Sequence, residues 1–182
     1  MHHMRCTCLR AFARGLGAAM TGDPTAARAE LARLEKLREA TASRKQAYWV
    51  GEIDLQAGVV QGLTLCAEGK RDDCLETLRT AAAREDASEK HVVTPGRLVP
   101  AREVLAYAML GAGNAEAALR EFESVLEQEP NRLAAFTGAA EAVERAGNQT
   151  KANEYLAKVT ELTRTADTPI KEVAQAKRLV GR

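Results

Sequence analysis

The sequence predicts an all-α fold of stacked helix pairs, and three observations predict it. Gly113 and Gly147 lie 34 residues apart, and each is flanked by the same pattern of small and apolar residues. The same offsets fit when counted from Gly22 and from Gly69. The composition is that of helices: alanine, leucine, glutamate and arginine dominate, charged residues make up 28% and aromatics only 4%.

The offsets carry the argument. Seven residues before the four glycines stand Gly15, Gly62, Ala106 and Ala140, and four before stand Ala18, Leu65, Met109 and Val143. Five after stand Ala27, Cys74, Ala118 and Ala152; nine after, Leu31, Leu78, Phe122 and Leu156; twelve after, Leu34, Ala81, Val125 and Val159. Glycine ends a helix because it takes the left-handed conformation at little cost. Small residues let antiparallel helices approach, and larger apolar ones fill the space between neighbouring pairs. Ala118 and Ala152 are therefore expected at buried crossings. One helix pair cannot bury its apolar face alone, so the copies must stack.

A 34-residue period with these slots, closed by Pro130 after the third copy, resembles the tetratricopeptide repeat. The resemblance implies a right-handed superhelical solenoid of four helix pairs plus a C-terminal capping helix. Copies three and four match best, while copies one and two keep the core slots and lack the proline. The Ala47-Tyr-Trp and Glu89-Lys-His-Val-Val-Thr-Pro-Gly stretches are also similar to a group of bacterial tetratricopeptide proteins with a Lys-His-x-Val-Thr-Pro-Gly segment. That group carries no activity over to this chain.

In chain order, residues 1–7 read as a disordered or tag-derived terminus, and 8–182 as a single repeat domain. The copies span about 8–41, 55–88, 99–132 and 133–166, with inserts at about 42–54 and 89–98 and a capping helix at about 169–180. Asp23 caps the second helix, with Pro24 at its first position. The first insert has no Pro and only Gly51, so it reads as added helix, with one long helix from near Ser43 to near Glu68. Its Tyr48 and Trp49 either pack on the preceding helix or form an exposed patch. The second insert cannot stay helical through Pro95-Gly96, and Glu89, His91 and Thr94 are its one polar cluster. Asn114, Asn131 and Asn148 are the expected caps of later helices. After Thr168-Pro169, Ile170, Val173, Ala174 and Lys177 have the spacing of a helix that covers the end of a stack.

The function classes narrow from here. Lys plus Arg is 26 against 25 for Asp plus Glu, a net charge of +1, and there is no basic run with interleaved aromatics, so nucleic acid is not an expected partner. No apolar run approaches the roughly 20 residues that span a bilayer, so no membrane partner is expected either. Met1 to Arg14 lacks the continuous apolar stretch of a signal peptide. The expected location is the cytoplasm, although a leader removed upstream would change that address. Cys66 and Cys74 read as small buried hydrophobes, Cys6 and Cys8 as reactive, and the set as that of a reducing setting. His2, His3, Cys6 and Cys8 offer soft-metal ligands, but they lack the separated ligand pairs of a structural zinc site, so no metal or other cofactor is expected. No nucleophile with a base, no carboxylate pair in a cleft and no phosphate-binding glycine pattern is visible, so the chain is not expected to be an enzyme.

What remains is a non-catalytic scaffold for a protein or peptide. In the family it resembles, the first helix of each pair lines a concave groove. The matching positions are Phe12, Leu16, Gln56, Val59, Leu63, Glu103, Tyr107, Thr137, Glu141 and Glu144. They are apolar at the front and acidic at the back. A terminal carboxylate would be repelled, whereas an apolar segment followed by Lys or Arg would be drawn in. Alternatively the carboxylates are only a solvated face. A second reading is a self-associating module, a homodimer through the groove or through a secondary patch at Tyr48, Trp49 and His91.

Overall fold

The computed structural model describes residues 2–88, 98–167 and 170–180. Among the described residues there are nine α-helices and no strand. They are α1 (His2–Met20), α2 (Pro24–Ala42), α3 (Ala47–Ala67), α4 (Arg71–Asp86), α5 (Ala101–Gly111), α6 (Ala115–Gln128), α7 (Leu133–Arg145), α8 (Gln149–Leu162) and α9 (Lys171–Val180). The polar cluster of Glu89, His91 and Thr94 lies outside the described residues, as do the Pro95-Gly96 break and Thr168-Pro169. The helix α1 begins at His2, inside the stretch expected to be disordered or tag-derived.

Gly22, Gly69, Gly113 and Gly147 all have positive φ, between 77° and 87°, and each sits between the two helices of a pair. The hydrogen bonding shows why glycine is needed there. The residue after each glycine donates its N–H five residues back, as Asp23 does to the Ala18 carbonyl and Asn148 to that of Val143. The glycine itself donates three back, which completes a Schellman closure of the first helix. The five-after residues Ala27, Cys74, Ala118 and Ala152 are at most 1% exposed, as the spacing predicts. Gly62 shows how tight a crossing is: a Cβ there would stand 2.6 Å from Leu78 Cγ.

The same closure occurs a fifth time without glycine. Gln46 N–H donates to Thr41 O and Lys45 N–H to Ala42 O, with Lys45 at φ 57°. This turn falls in the first insert. The long helix expected from near Ser43 to near Glu68 is α3, which starts four residues later because residues 43–46 form the turn after α2. α3 is still 21 residues, roughly 31 Å. No glycine marks the stop, so local sequence gave no sign of it. A left-handed lysine costs roughly 1–2 kcal/mol, and glycine's extra unfolded-state entropy takes back about 0.5–1 kcal/mol. Lys45→Gly is therefore expected to stabilise the chain by about 0.5–1 kcal/mol, read as a higher urea midpoint. An unchanged or lower midpoint would show that Lys45 is held there by something other than backbone geometry.

The caps follow the expectation in part. The side chains of Asp23 and Asn148 accept from Ala26 N and Lys151 N at 2.9 and 3.0 Å. Asn114 is the N-cap of α6 but makes no side-chain cap bond. Asn131 is not a cap. The N-cap of α7 is Arg132, because Arg132 N–H closes a turn back onto Glu129 O and so delays the helix by one residue.

The contacts divide the chain into two compact units, Met1–Ala101 and Arg102–Arg182, where one repeat domain over 8–182 was expected. In the first unit, α1 pairs with α2 and α3 with α4, and α3 also packs on α1 and α2. Cys8, Ala11, Leu34 and Ile53 form one core cluster. Arg14 on α1 pairs with the buried Glu30 on α2 at 2.9 Å. Arg28 and Arg38 on α2 reach Glu68 and Asp54 toward the two ends of α3. Hydrogen bonds from Arg28 and Lys70 hold the Glu68 carboxyl below the usual range. In the second unit, α7 packs on α6 and α8, and α9 lies against both α7 and α8. Ala176 of α9 joins Ala140, Leu156 and Val159 in one cluster, so the last helix covers the end of the stack.

The cysteines correct a further expectation. Cys66, in the last turn of α3, and Cys74, in the first turn of α4, form a disulfide across the Gly69 turn. They are not two separate buried hydrophobes. Disulfides belong to oxidising compartments, so cysteine usage no longer argues for a reducing setting. Cys6 is exposed, but Cys8 is buried, and burial pushes its thiol pKa up, so it is not the reactive thiol expected.

Candidate binding face

The ten positions proposed for partner contact all lie on first helices of pairs: Phe12 and Leu16 on α1, Gln56, Val59 and Leu63 on α3, Glu103 and Tyr107 on α5, and Thr137, Glu141 and Glu144 on α7. Packing separates them. Phe12, Val59, Glu103 and Thr137 are buried within their own units, so their side chains are not on offer to a partner. Leu16, Gln56, Leu63, Tyr107, Glu141 and Glu144 are half-buried. In the first unit the accessible remainder is therefore mainly apolar.

In the second unit the polar residues are committed to one another. The Glu103 carboxylate is gripped bidentately by one edge of the Arg132 guanidinium, Nε donating to Oε2 and Nη2 to Oε1, the latter at 3.0 Å. Arg132 also holds Glu129 at 3.1 Å. Burial alone would lower the Arg132 pKa, but Glu103 outweighs it and the net direction is up. Thr137 turns its hydroxyl back onto Leu133 O at 2.9 Å, which satisfies a polar group in the core. Glu141 accepts from Arg145 one helical turn on and from Gln175 of α9, the latter at 2.7 Å. Glu103 and Glu141 were expected to face solvent. Glu103 does not, and Glu141 is partly covered by the capping helix.

Tyr107 sits at the centre of this arrangement. Its ring meets Phe122 edge-on at 4.8 Å, and its hydroxyl donates to Ala134 O at 2.7 Å. Burial raises its pKa most, followed by the charges of Glu103, Glu141 and Glu172, with Arg132 opposing. Carboxylates from α5, α7 and α9 thus all disfavour ionisation of this phenol. Glu172 was absent from the sequence reading because its helix was seen only as a cap. The signal available was its place in the first turn of that helix.

Elsewhere in this unit Glu123 of α6 accepts from Lys151 Nζ and the Tyr155 hydroxyl of α8, at 2.9 and 2.7 Å. Burial would raise Glu123, but these two donors hold it below the usual carboxylate range. In the first unit a cleft of about 290 Å³ opens between α3 and α4, bounded by Asp54, Gly58, Glu76, Thr77, Thr80 and Arg84. Asp54 there bridges Arg38 at 2.6 Å and Arg84 at 3.7 Å, so its charge is matched. Tyr48 and Trp49 meet edge-on at 4.8 Å in the first turn of α3, and both are half-buried. His91 lies outside the described residues. Among the described residues no group of three or more His, Cys, Asp or Glu could hold a metal ion, and no helix is long and apolar enough to cross a membrane.

No protein-family model and no curated protein sequence matches the chain. Among solved structures, the chain is similar to a crystal structure of MamA protein, with a TM-score of 0.54, 15% identity, and coverage of 90% of this chain and 97% of that one. A second MamA structure, titled MamA AMB-1, aligns with a TM-score of 0.49, 17% identity, and coverage of 86% and 99%. At such identity the first likeness speaks for the fold alone, and that fold is a tetratricopeptide-like helical repeat.

Proposed function

We propose that the chain is a non-catalytic protein-interaction scaffold whose first-helix faces receive a peptide segment with apolar side chains and a basic end. One observation carries this reading: Glu141 and Glu144 stay half-buried on α7, the helix whose Ala134 carbonyl takes the Tyr107 hydroxyl, so two carboxylates and an aromatic ring are left to a partner in one unit. Glu103 is not among the residues left for a partner, because Arg132 already occupies it. Glu141, Glu144 and Glu172 take over the recognition role assigned to the acidic end. The half-buried Tyr107 ring supplies apolar contact in the same unit. A carboxylate-lined surface steers a cationic segment and sets its direction, while apolar burial supplies most of the affinity. The likeness in fold to MamA supports a helical-repeat scaffold, and the proposal extends that to a scaffold that binds protein.

The test is a titration of the full chain with two synthetic peptides of equal apolar content, one ending in Lys-Arg and one in Glu-Asp. The basic peptide is expected to bind at least about tenfold more tightly, a difference of 1.4 kcal/mol. Its binding should weaken as salt shortens the screening length below about 8 Å. Glu144→Lys combined with Glu172→Lys should remove the preference and leave the helical circular dichroism unchanged. Equal affinities for the two peptides would defeat the proposal. A dimer by light scattering that Trp49→Ala dissolves would favour self-association instead.

A further inference from the structure

The cysteine pair carries an inference that does not rest on the scaffold reading. We infer that Cys66 is a thiol–disulfide exchange site, at which an external thiol opens the Cys66–Cys74 bond by attacking the Cys66 sulfur and displacing Cys74. The two ends of the bond differ in access. Cys74 is 0% exposed, whereas Cys66 is only half-buried at the end of α3. Exchange requires in-line approach of a thiolate to a sulfur, so the sulfur of the partly exposed residue is the one attacked.

The leaving side is balanced. Cys74 is the fourth residue of α4, where the first turn of a helix favours negative charge, while its burial disfavours a thiolate. Lys70, Arg71, Asp72 and Asp73 are all exposed, so their opposite charges are screened alike. Access at Cys66 therefore decides which sulfur is attacked.

The fold does not need the bond in order to hold the pair together. The Gly69 turn is closed by Lys70 N–H on Leu65 O and Gly69 N–H on Cys66 O, and it fixes the two Cα atoms 5.1 Å apart. Alanine fills the Cys74 slot in the other three copies. The reduced pair therefore stays poised to close again, which makes the exchange reversible.

The steps balance. A thiolate attacks Cys66 Sγ, a new S–S bond forms to the reagent, the Cys66–Cys74 bond breaks, and Cys74 leaves as thiolate and takes a proton from water. A second reagent thiolate attacks the reagent sulfur of the mixed disulfide and releases Cys66 as thiolate. The protein gains two electrons and two protons, and the two thiols become one disulfide. Oxidised glutathione runs the steps backwards.

The experiment uses the full chain, purified without reductant and then treated with reduced glutathione. The reaction is quenched with acid, and adducts are located by peptide mass mapping. The mixed disulfide is expected on Cys66 in at least about tenfold excess over Cys74. After removal of the thiol, oxidised glutathione should restore the bond, and the exposed free thiol of Cys6, which forms a mixed disulfide with oxidised glutathione, serves as the control for that reagent. Cys74→Ala should leave Cys66 open to glutathionylation by oxidised glutathione, with helicity checked by circular dichroism. Adducts shared equally, or found mainly on Cys74, would overturn the assignment. So would two free thiols that oxidised glutathione fails to join in the native chain.

Discussion

Replacing Phe122 with alanine is expected to lower stability by about 3–5 kcal/mol, the range for emptying a well-packed aromatic site. Phe122 fills the nine-after slot of the third copy and is fully buried. Its ring takes Tyr107 edge-on from α5 and receives the α7 backbone at Gly138, where an added Cβ would stand 2.3 Å from the ring's Cζ. Three helices therefore meet on one side chain. Gly138 supplies the sharper half of the test. In the natural chain, Gly138→Ala should cost about 1–3 kcal/mol by overpacking, set against a gain of about 1 kcal/mol in helix propensity. With alanine at 122 the ring is gone, and the same change should become neutral or stabilising. Urea denaturation of the two single variants and the double variant measures the coupling. A Gly138→Ala cost that is the same in both backgrounds would show that the ring and the glycine do not share the site.

Removing Arg132 is expected to be the other costly change. Arg132→Met leaves the Glu103 carboxylate, with a side chain 5% exposed, without its bidentate partner, at an expected cost of about 3–5 kcal/mol. The reason is asymmetric. A buried pair contributes little net stability, but half of one leaves a charge desolvated. Replacing both residues, Arg132→Met with Glu103→Leu, should therefore recover most of the loss and end within about 1–2 kcal/mol of the natural chain. A double variant as unstable as Arg132→Met alone would mean that Glu103 contributes through contacts other than this ion pair. The same variants separate stability from binding, because Glu103 sits where the sequence suggested a partner contact. If peptide affinity survives the double change, the acidic face is the work of Glu141, Glu144 and Glu172.

The groove positions divide along a physical line. Positions on the first helices followed from the glycine offsets, and all ten lie on those helices. Their accessibility did not follow. Glu103 looked like a free carboxylate because its partner is 29 residues away. A cation near the start of the next copy was the clue available, and Arg132 is that cation. Thr137 looked polar and available, yet its hydroxyl is consumed by its own helix. Glu141 is met by Gln175, 34 residues on, from a helix read only as a lid on the stack.

The sequence by itself determined the helix pairs, their four glycine stops, the buried alanines at the crossings and the covering role of the last helix. Each of these rests on local backbone conformation or on a periodic choice of side-chain size, and both repeat along the chain where they can be counted. Only the tertiary structure decided the turn at Lys45, the Cys66–Cys74 bond, the pairing of Glu103 with Arg132 and the bond from Gln175 to Glu141. Those depend on which group a neighbouring helix places opposite a given side chain. A charge or a thiol changes its role with that neighbour, whereas a glycine at positive φ or an alanine at a crossing does not.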